Sequence, residues 1–268
     1  MALTVENSGP AEGRTRRIVD VGNAKIDVIS EGEGPLIVLL PSLGRSGEEF
    51  DELAVGFAKE GFRVLRPQPR GMDGSVGPMT GVSYHDFAKD IAGVIEQDSG
   101  GRAIVAGHAF GNWVARTVAA DYPDLVRGVA LIAGGSKTWR QELSDAISTI
   151  NDFNQPKAAR LKALEFAFFA RGHDATSWLE GWHPDVTKCQ RDARSRSDIN
   201  SWWGAGKAPI LDLQGADDPF RPRETMNDLK NEFGSRVTVT VIPDASHALP
   251  IEQPEAVLRA IIAWVSGL

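Results

Sequence analysis

The stretch VAGHAFGNWVA, residues 105–115, decides how the rest of the chain is read. A short β-branched run closes on Gly107, and a helical pattern opens at about Phe110. Between them stands Gly107-His108-Ala109-Phe110-Gly111. Two glycines flanking a three-residue stretch are a weak signal alone, because glycine is common in turns. Here they fall where a buried strand meets a helix. Small residues two before and two after the centre let such a turn close tightly and hold its central residue clear of the sheet.

Working outward, strands and helices alternate. RRIVDVGNAKIDVIS predicts two strands around Gly22-Asn23, an antiparallel hairpin at the sheet edge. PLIVLLP (35–41) is continuously apolar, as a strand buried on both faces should be. Residues 46–60 and 83–97 have helical periodicity, the second behind a cap-like Ser83. RVLRPQP, RAIVAG and VRGVALIAG predict strands, and FGNWVARTVAADYP a helix. Near the end come APILDLQG (strand), RPRETMNDLKNEF (helix), RVTVTVIP (strand) and PEAVLRAIIAWV (helix). Parallel crossovers and a sheet covered on both faces follow from this order.

Residues 136–206 interrupt the alternation, a length that no structureless loop inside a compact domain reaches. WRQELSDAISTINDF, PKAARLKALEFAFFA and ATSWLEGWHPDVTKCQRDA have helical patterns. The expected organisation is therefore a core of residues 1–135 and 207–268 with a helical cap, 136–206, inserted between. Five of the seven tryptophans lie in the cap: Trp139, Trp178, Trp182, Trp202 and Trp203. Such residues mostly pack a cap's own core, but a junction between two units favours a ligand cleft. Trp178, Trp182, Trp202 and Trp203 are the candidates for its walls, and they suggest an apolar, fairly bulky ligand.

Two later segments bear on chemistry. LQGADDPFRP places Asp217 and Asp218 just past a late strand, where an acid could orient a histidine, although Asp-Asp-Pro is also ordinary turn chemistry. VIPDASHALPIEQPEAV places His247 in a loop between the last strand and the last helix. His108, beside the turn, and His85, at a helix start, are rivals; a residue flanking such a turn usually points its side chain away from the site. The five histidines show no metal-ligand spacing.

With GHAFG, GADDPF and ASHALPIEQPE in this order, and PRGMDGS (69–75) after the fourth strand, the chain resembles the α/β-hydrolase family from about residue 17 to 266. The resemblance implies an α/β fold with a mostly parallel sheet of about eight strands. It implies a nucleophile elbow at 107–111, in which Ala109 stands where the nucleophile belongs. The family's acid lies three residues after the glycine of the late strand, which selects Asp218 over Asp217, and His247 matches its histidine. After the third strand the family usually has His-Gly; this chain has Pro41-Ser42. That departure argues against the epoxide-hydrolase branch. The loop supplies a backbone donor, so the oxyanion donors are expected to be the N–H groups of Leu43 and Phe110, with Ser42 as a possible side-chain contact or simple turn residue.

An intact site of this kind would hydrolyse a carboxylic ester or lactone by a Ser-His-Asp mechanism, with amide or carbon–carbon hydrolysis as variants, and would need no cofactor. An engineered serine-to-alanine change is the reading preferred for Ala109. The acid, the histidine and both elbow glycines remain, and alanine deletes an Oγ while keeping the backbone. The alternative is a natural non-hydrolytic binder, a receptor or carrier on the same fold; a third is an original aspartate or cysteine at that position.

Composition limits the field further. Over 268 residues, 42% hydrophobic content supports a sizeable core. A formal net charge of −7 disfavours nucleic acid or an anionic membrane as partner. No run approaches a membrane span, and MALTVENSGPAEGRTRR lacks a signal peptide's apolar centre and reads as a solvated tail. A single cysteine, Cys189, cannot form an internal disulfide, so a cytoplasmic setting is expected. Oligomeric state is not legible in the sequence.

Overall fold

A computed structural model describes residues 13–98 and 100–268; most of the expected N-terminal tail (1–12) lies outside them. Eight strands form one sheet: β1 (Thr15–Asp20), β2 (Lys25–Glu31), β3 (Leu36–Leu40), β4 (Arg63–Pro67), β5 (Ala103–His108), β6 (Val126–Ile132), β7 (Ile210–Gly215) and β8 (Val237–Ile242). Their order is β1-β2-β4-β3-β5-β6-β7-β8. β2 runs antiparallel to β1 and β4, and every other pairing is parallel. The hairpin edge and the mostly parallel centre are those expected from the sequence.

The continuous apolar strands are buried on both faces. In β3, Leu36, Val38 and Leu40 join one core while Ile37 and Leu39 join the other. Fully burying each such side chain contributes about 1.5–3 kcal/mol, so this one strand anchors both layers. Helices α1 (Asp51–Lys59), α2 (Tyr84–Glu96) and α3 (Phe110–Asp121) follow β3, β4 and β5. Ser83 caps α2 as anticipated: Asp86 accepts from both its N–H and its hydroxyl, each at 2.8 Å.

Between β6 and β7 the chain forms α4 (Gln141–Asn151), α5 (Lys157–Ala167), α6 (Pro184–Arg194) and α7 (Ile199–Trp202). The pattern over 175–193 resolves into a short 3-10 turn, Thr176–Leu179, and then α6. Gly181, at φ 78°, and Pro184 in the first turn of α6 break what looked like one helix. Leu143, Ile150, Leu164, Phe168, Trp178 and Trp182 form a third apolar cluster, which reaches the remainder of the chain at Phe220 and Ala248.

After β7 the expected helix over 221–233 is only a 3-10 turn, Arg223–Thr225, and α8 (Asp228–Phe233). Gln214 donates to the Met226 carbonyl at 2.9 Å and the Thr225 hydroxyl donates to Pro222 at 2.8 Å, so side chains claim carbonyls that a continuous helix would use. A short α9 (Leu249–Glu252) and α10 (Pro254–Val265) complete the chain. Among the described residues no helix is long and apolar enough to cross a membrane.

Candidate active site

The turn after β5 is as tight as its glycines implied. A Cβ on Gly107 would lie 2.2 Å from the carbonyl carbon of Gly111, and one on Gly111 would lie 2.2 Å from the Leu40 carbonyl oxygen. Ala109, between them, is held at φ 47° and ψ −109°. A non-glycine residue in that region costs about 1–3 kcal/mol and persists only where its surroundings impose it. The imposition here is a hydrogen bond from Ala109 N–H to the Ile132 carbonyl (3.0 Å) and the closed glycine contacts behind it.

His247 and Asp218 meet as their spacing suggested. His247 Nδ1 lies 2.9 Å from Asp218 Oδ2, and Asp218 Oδ1 accepts from the Phe220 N–H at 2.8 Å. Asp218 is buried and Asp217 is exposed, which separates the two candidates. The imidazole lies against Phe220, 4.3 Å between ring centroids, with Phe168 edge-on at 5.2 Å. His247 Nε2 has no hydrogen-bond partner among the described residues. The N–H groups of Leu43 and Phe110 likewise donate to nothing among them.

Ala109, His247, Leu43, Phe110 and Ser42 line one cavity of about 320 Å³. Trp182 lines it too. The other three tryptophan candidates do not. Trp178 is buried in the third cluster, 6.0 Å from the His108 ring, with the Arg45 guanidinium over its face. Trp202 and Trp203 line a separate cavity of about 260 Å³. The physical reason is packing: α7 leans on α3 and turns Trp202 onto Tyr84, while Arg116 holds Trp203 through its carbonyl (2.6 Å) and its ring face. The possible contact from Ser42 is spent internally, because its hydroxyl donates to Glu49 at 2.8 Å.

Several lining residues escaped the sequence reading. Trp139 stacks on Trp113 (6.0 Å, 17° between planes), and Tyr84 stacks on the same Trp113 at 5.8 Å. Arg191 and Arg194 reach the cavity from α6. No carboxylate pairs with either arginine among the described residues. The Arg194 guanidinium lies 5.2 Å from both the Trp113 and the Trp139 ring centres. The Tyr84 hydroxyl is buried without a partner, and burial pushes its pKa up against the opposing charge of Arg194. The signal was present in α6: Thr187, Gln190, Arg191 and Arg194 follow i, i+3, i+4, i+7 spacing, one face of a helix. Gln190 accepts from the Gly44 N–H at 2.8 Å, and a Cβ on Gly44 would lie 2.0 Å from the Thr187 hydroxyl, so that face presses on the loop carrying Leu43.

Comparison with known proteins agrees with this architecture. A model of the alpha/beta hydrolase fold matches residues 35–254. A 2-(acetamidomethylene)succinate hydrolase of Mesorhizobium japonicum is 36% identical over 94% of this chain and 95% of its own. An (E)-2-((N-methylformamido)methylene)succinate hydrolase of Acinetobacter baylyi is 23% identical over 91% of this chain and 95% of its own. Among solved structures, an esterase from Exiguobacterium antarcticum superposes with TM-score 0.78 at 20% identity, covering 94% of this chain and all (100%) of the other. By sequence and by fold, this chain belongs to the α/β-hydrolase family.

Proposed function

We propose that the cavity is the site of an acyl hydrolase of the Ser-His-Asp kind, with Ala109 standing in place of the nucleophilic serine. One observation carries the reading. A residue without any reactive atom is held in the strained elbow conformation, on the same cavity as an assembled His247–Asp218 pair. A serine at that position would attack the acyl carbon through Oγ. His247 Nε2 would take its proton and pass it to the leaving group, while Asp218 held the Nδ1–H. The N–H groups of Leu43 and Phe110 would receive the developing oxyanion. Water activated by His247 would then release the acid and return the enzyme.

The helices between β6 and β7 act in this reading as the cap, residues 136–206. The apolar ligand expected from the tryptophans suits the wall made by Trp113, Trp139 and Phe220. The other end differs. Arg191 and Arg194 offer donors without carboxylate partners, which suits an anionic group on the substrate. The 36% identical relative is named for a compound with an acetamido group on a methylenesuccinate. A small carboxylate-bearing amide or ester is therefore the substrate class proposed here, and the protein as it stands holds it uncleaved.

The test is Ala109→Ser, assayed on simple aryl esters, lactones and 2-(acetamidomethylene)succinate. Turnover that disappears on further replacement of His247 or Asp218 supports the reading. Tight binding by both forms with no turnover of any compound would replace it with a natural binding protein.

A further inference from the structure

Next to Ala109, on the side of the turn away from the cavity, His108 is fully buried and has a partner on each ring nitrogen. Nε2 lies 2.7 Å from the His247 carbonyl oxygen. A carbonyl only accepts, so Nε2 bears a proton. Nδ1 lies 3.1 Å from Glu49 Oε1. That same oxygen accepts from the Ser42 N–H at 2.8 Å, and Glu49 Oε2 accepts from the Ser42 hydroxyl at 2.8 Å. Arg45 Nε faces Oε2 at 3.4 Å. With Ser42 donating to both oxygens and Arg45 facing them as an ion pair, the Glu49 carboxyl stands between the Ser42 loop and His108 Nδ1.

We propose that Glu49 and His108 form a buried hydrogen-bonded pair that positions both halves of the site, fixing the loop of the oxyanion donors to one partner and the His247 loop to the other. Glu49 grips Ser42 by its N–H and its hydroxyl, and so sets the next residue, Leu43. His108 grips the backbone of His247 itself. The positioning role rests on the acyl-hydrolase reading; the contacts of the pair do not.

Glu49 fits this assignment. Burial pushes its carboxyl up, but the facing His108 charge and hydrogen bond, Arg45 and the Ser42 N–H together bring it below the ordinary value. The charged and titratable groups around the His108 ring are Glu49, Arg45 behind it, and His247 with Asp218, the two imidazole centroids being 6.0 Å apart. Arg45 also donates to the Glu180 carbonyl at 3.0 Å and packs on Trp178 and Trp182, so the pair is tied to the inserted helices as well.

The test uses the protein as it is, labelled with 15N-histidine. Substituting the more exposed His85, His173 and His183 assigns the two buried rings without touching either. Of these, the His108 ring is expected to keep its Nε2 proton, the one held by the His247 carbonyl, protected from exchange. A His108 Nε2 proton that exchanges as fast as those of the exposed rings overturns its hold on the His247 loop. In Glu49→Gln the ring proton shared by His247 and Asp218 is expected to exchange at least tenfold faster. Unchanged exchange in folded Glu49→Gln protein overturns the positioning role, and Glu49→Asp serves if that variant does not fold. In the Ala109→Ser background, Glu49→Gln is expected to lower kcat on the order of 10²-fold with KM within about threefold, since small misplacements of reacting groups cost that much. An inactive Ala109→Ser protein overturns the hydrolase reading alone, because ring-proton exchange is read without turnover.

Discussion

The two walls of the cavity are built by different means. On the β5 and β7 side, backbone sits on backbone: Gly107 and Gly111 leave no room for a Cβ, and Asp218 is fastened by the Phe220 N–H. On the inserted-helix side, long side chains do the work: Trp139 stacks, Trp182 fills, and Arg191 and Arg194 extend from α6. A wall of backbone contacts fixes where a reaction happens. A wall of rotatable side chains selects what reacts, and it changes shape without disturbing the first.

That division is open to attack, beginning with the largest effect. Ala109→Ser should raise kcat by about 10⁶-fold, the cost of losing a triad nucleophile read in reverse, measured by ester and amide turnover. In that background Asp218→Asn should lose about 10⁴-fold in kcat with the fold intact, because the imidazole takes the wrong tautomer. Gly111→Ala should destabilise by about 4 kcal/mol or fail to fold, since its Cβ would meet the Leu40 carbonyl at 2.2 Å; chemical denaturation checks it. If the second wall selects the ligand, Arg194→Met in the Ala109 protein should weaken a dicarboxylate about tenfold to a hundredfold, the range of one charge-assisted hydrogen bond, with thermal stability nearly unchanged. Calorimetric titration decides it; equal affinity would remove Arg194 from the binding end.

The smallest effect is a pH dependence. Although burial works against it, the Glu49 carboxyl is held below its ordinary value by the surrounding positive charge and donors. Its contribution to stability is therefore complete above the unfolded carboxylate range, about 4.3, and fades as pH falls through the lower folded value. Glu49→Gln should flatten that part of the acid limb, which stability curves between pH 6 and 3 would reveal.

What the sequence disclosed follows the same division. β3 and β5 were legible because both-face burial demands an unbroken apolar run. Gly107, Gly111, Asp218 and His247 were legible because backbone turns impose fixed spacings on residue types. The tryptophans were not. For the tryptophans, tertiary packing places Trp139 and Trp182 at the cavity and sends Trp178, Trp202 and Trp203 elsewhere. Arg191 and Arg194 look like solvated helix charges unless the Thr187–Gln190–Arg191–Arg194 face is traced. His108 was set aside because its side chain turns from the cavity, and that direction is what brings it to the His247 carbonyl and Glu49.

The nearly parallel Trp113–Trp139 stack on the cavity wall gives the molecule a spectroscopic voice of its own. Two indoles 6.0 Å apart couple their electronic transitions, and the circular dichroism of the pair depends on the angle between their transition moments. A ligand wedged beside Arg194 disturbs that coupling directly. Occupancy of the site can therefore be followed by light, without label or turnover.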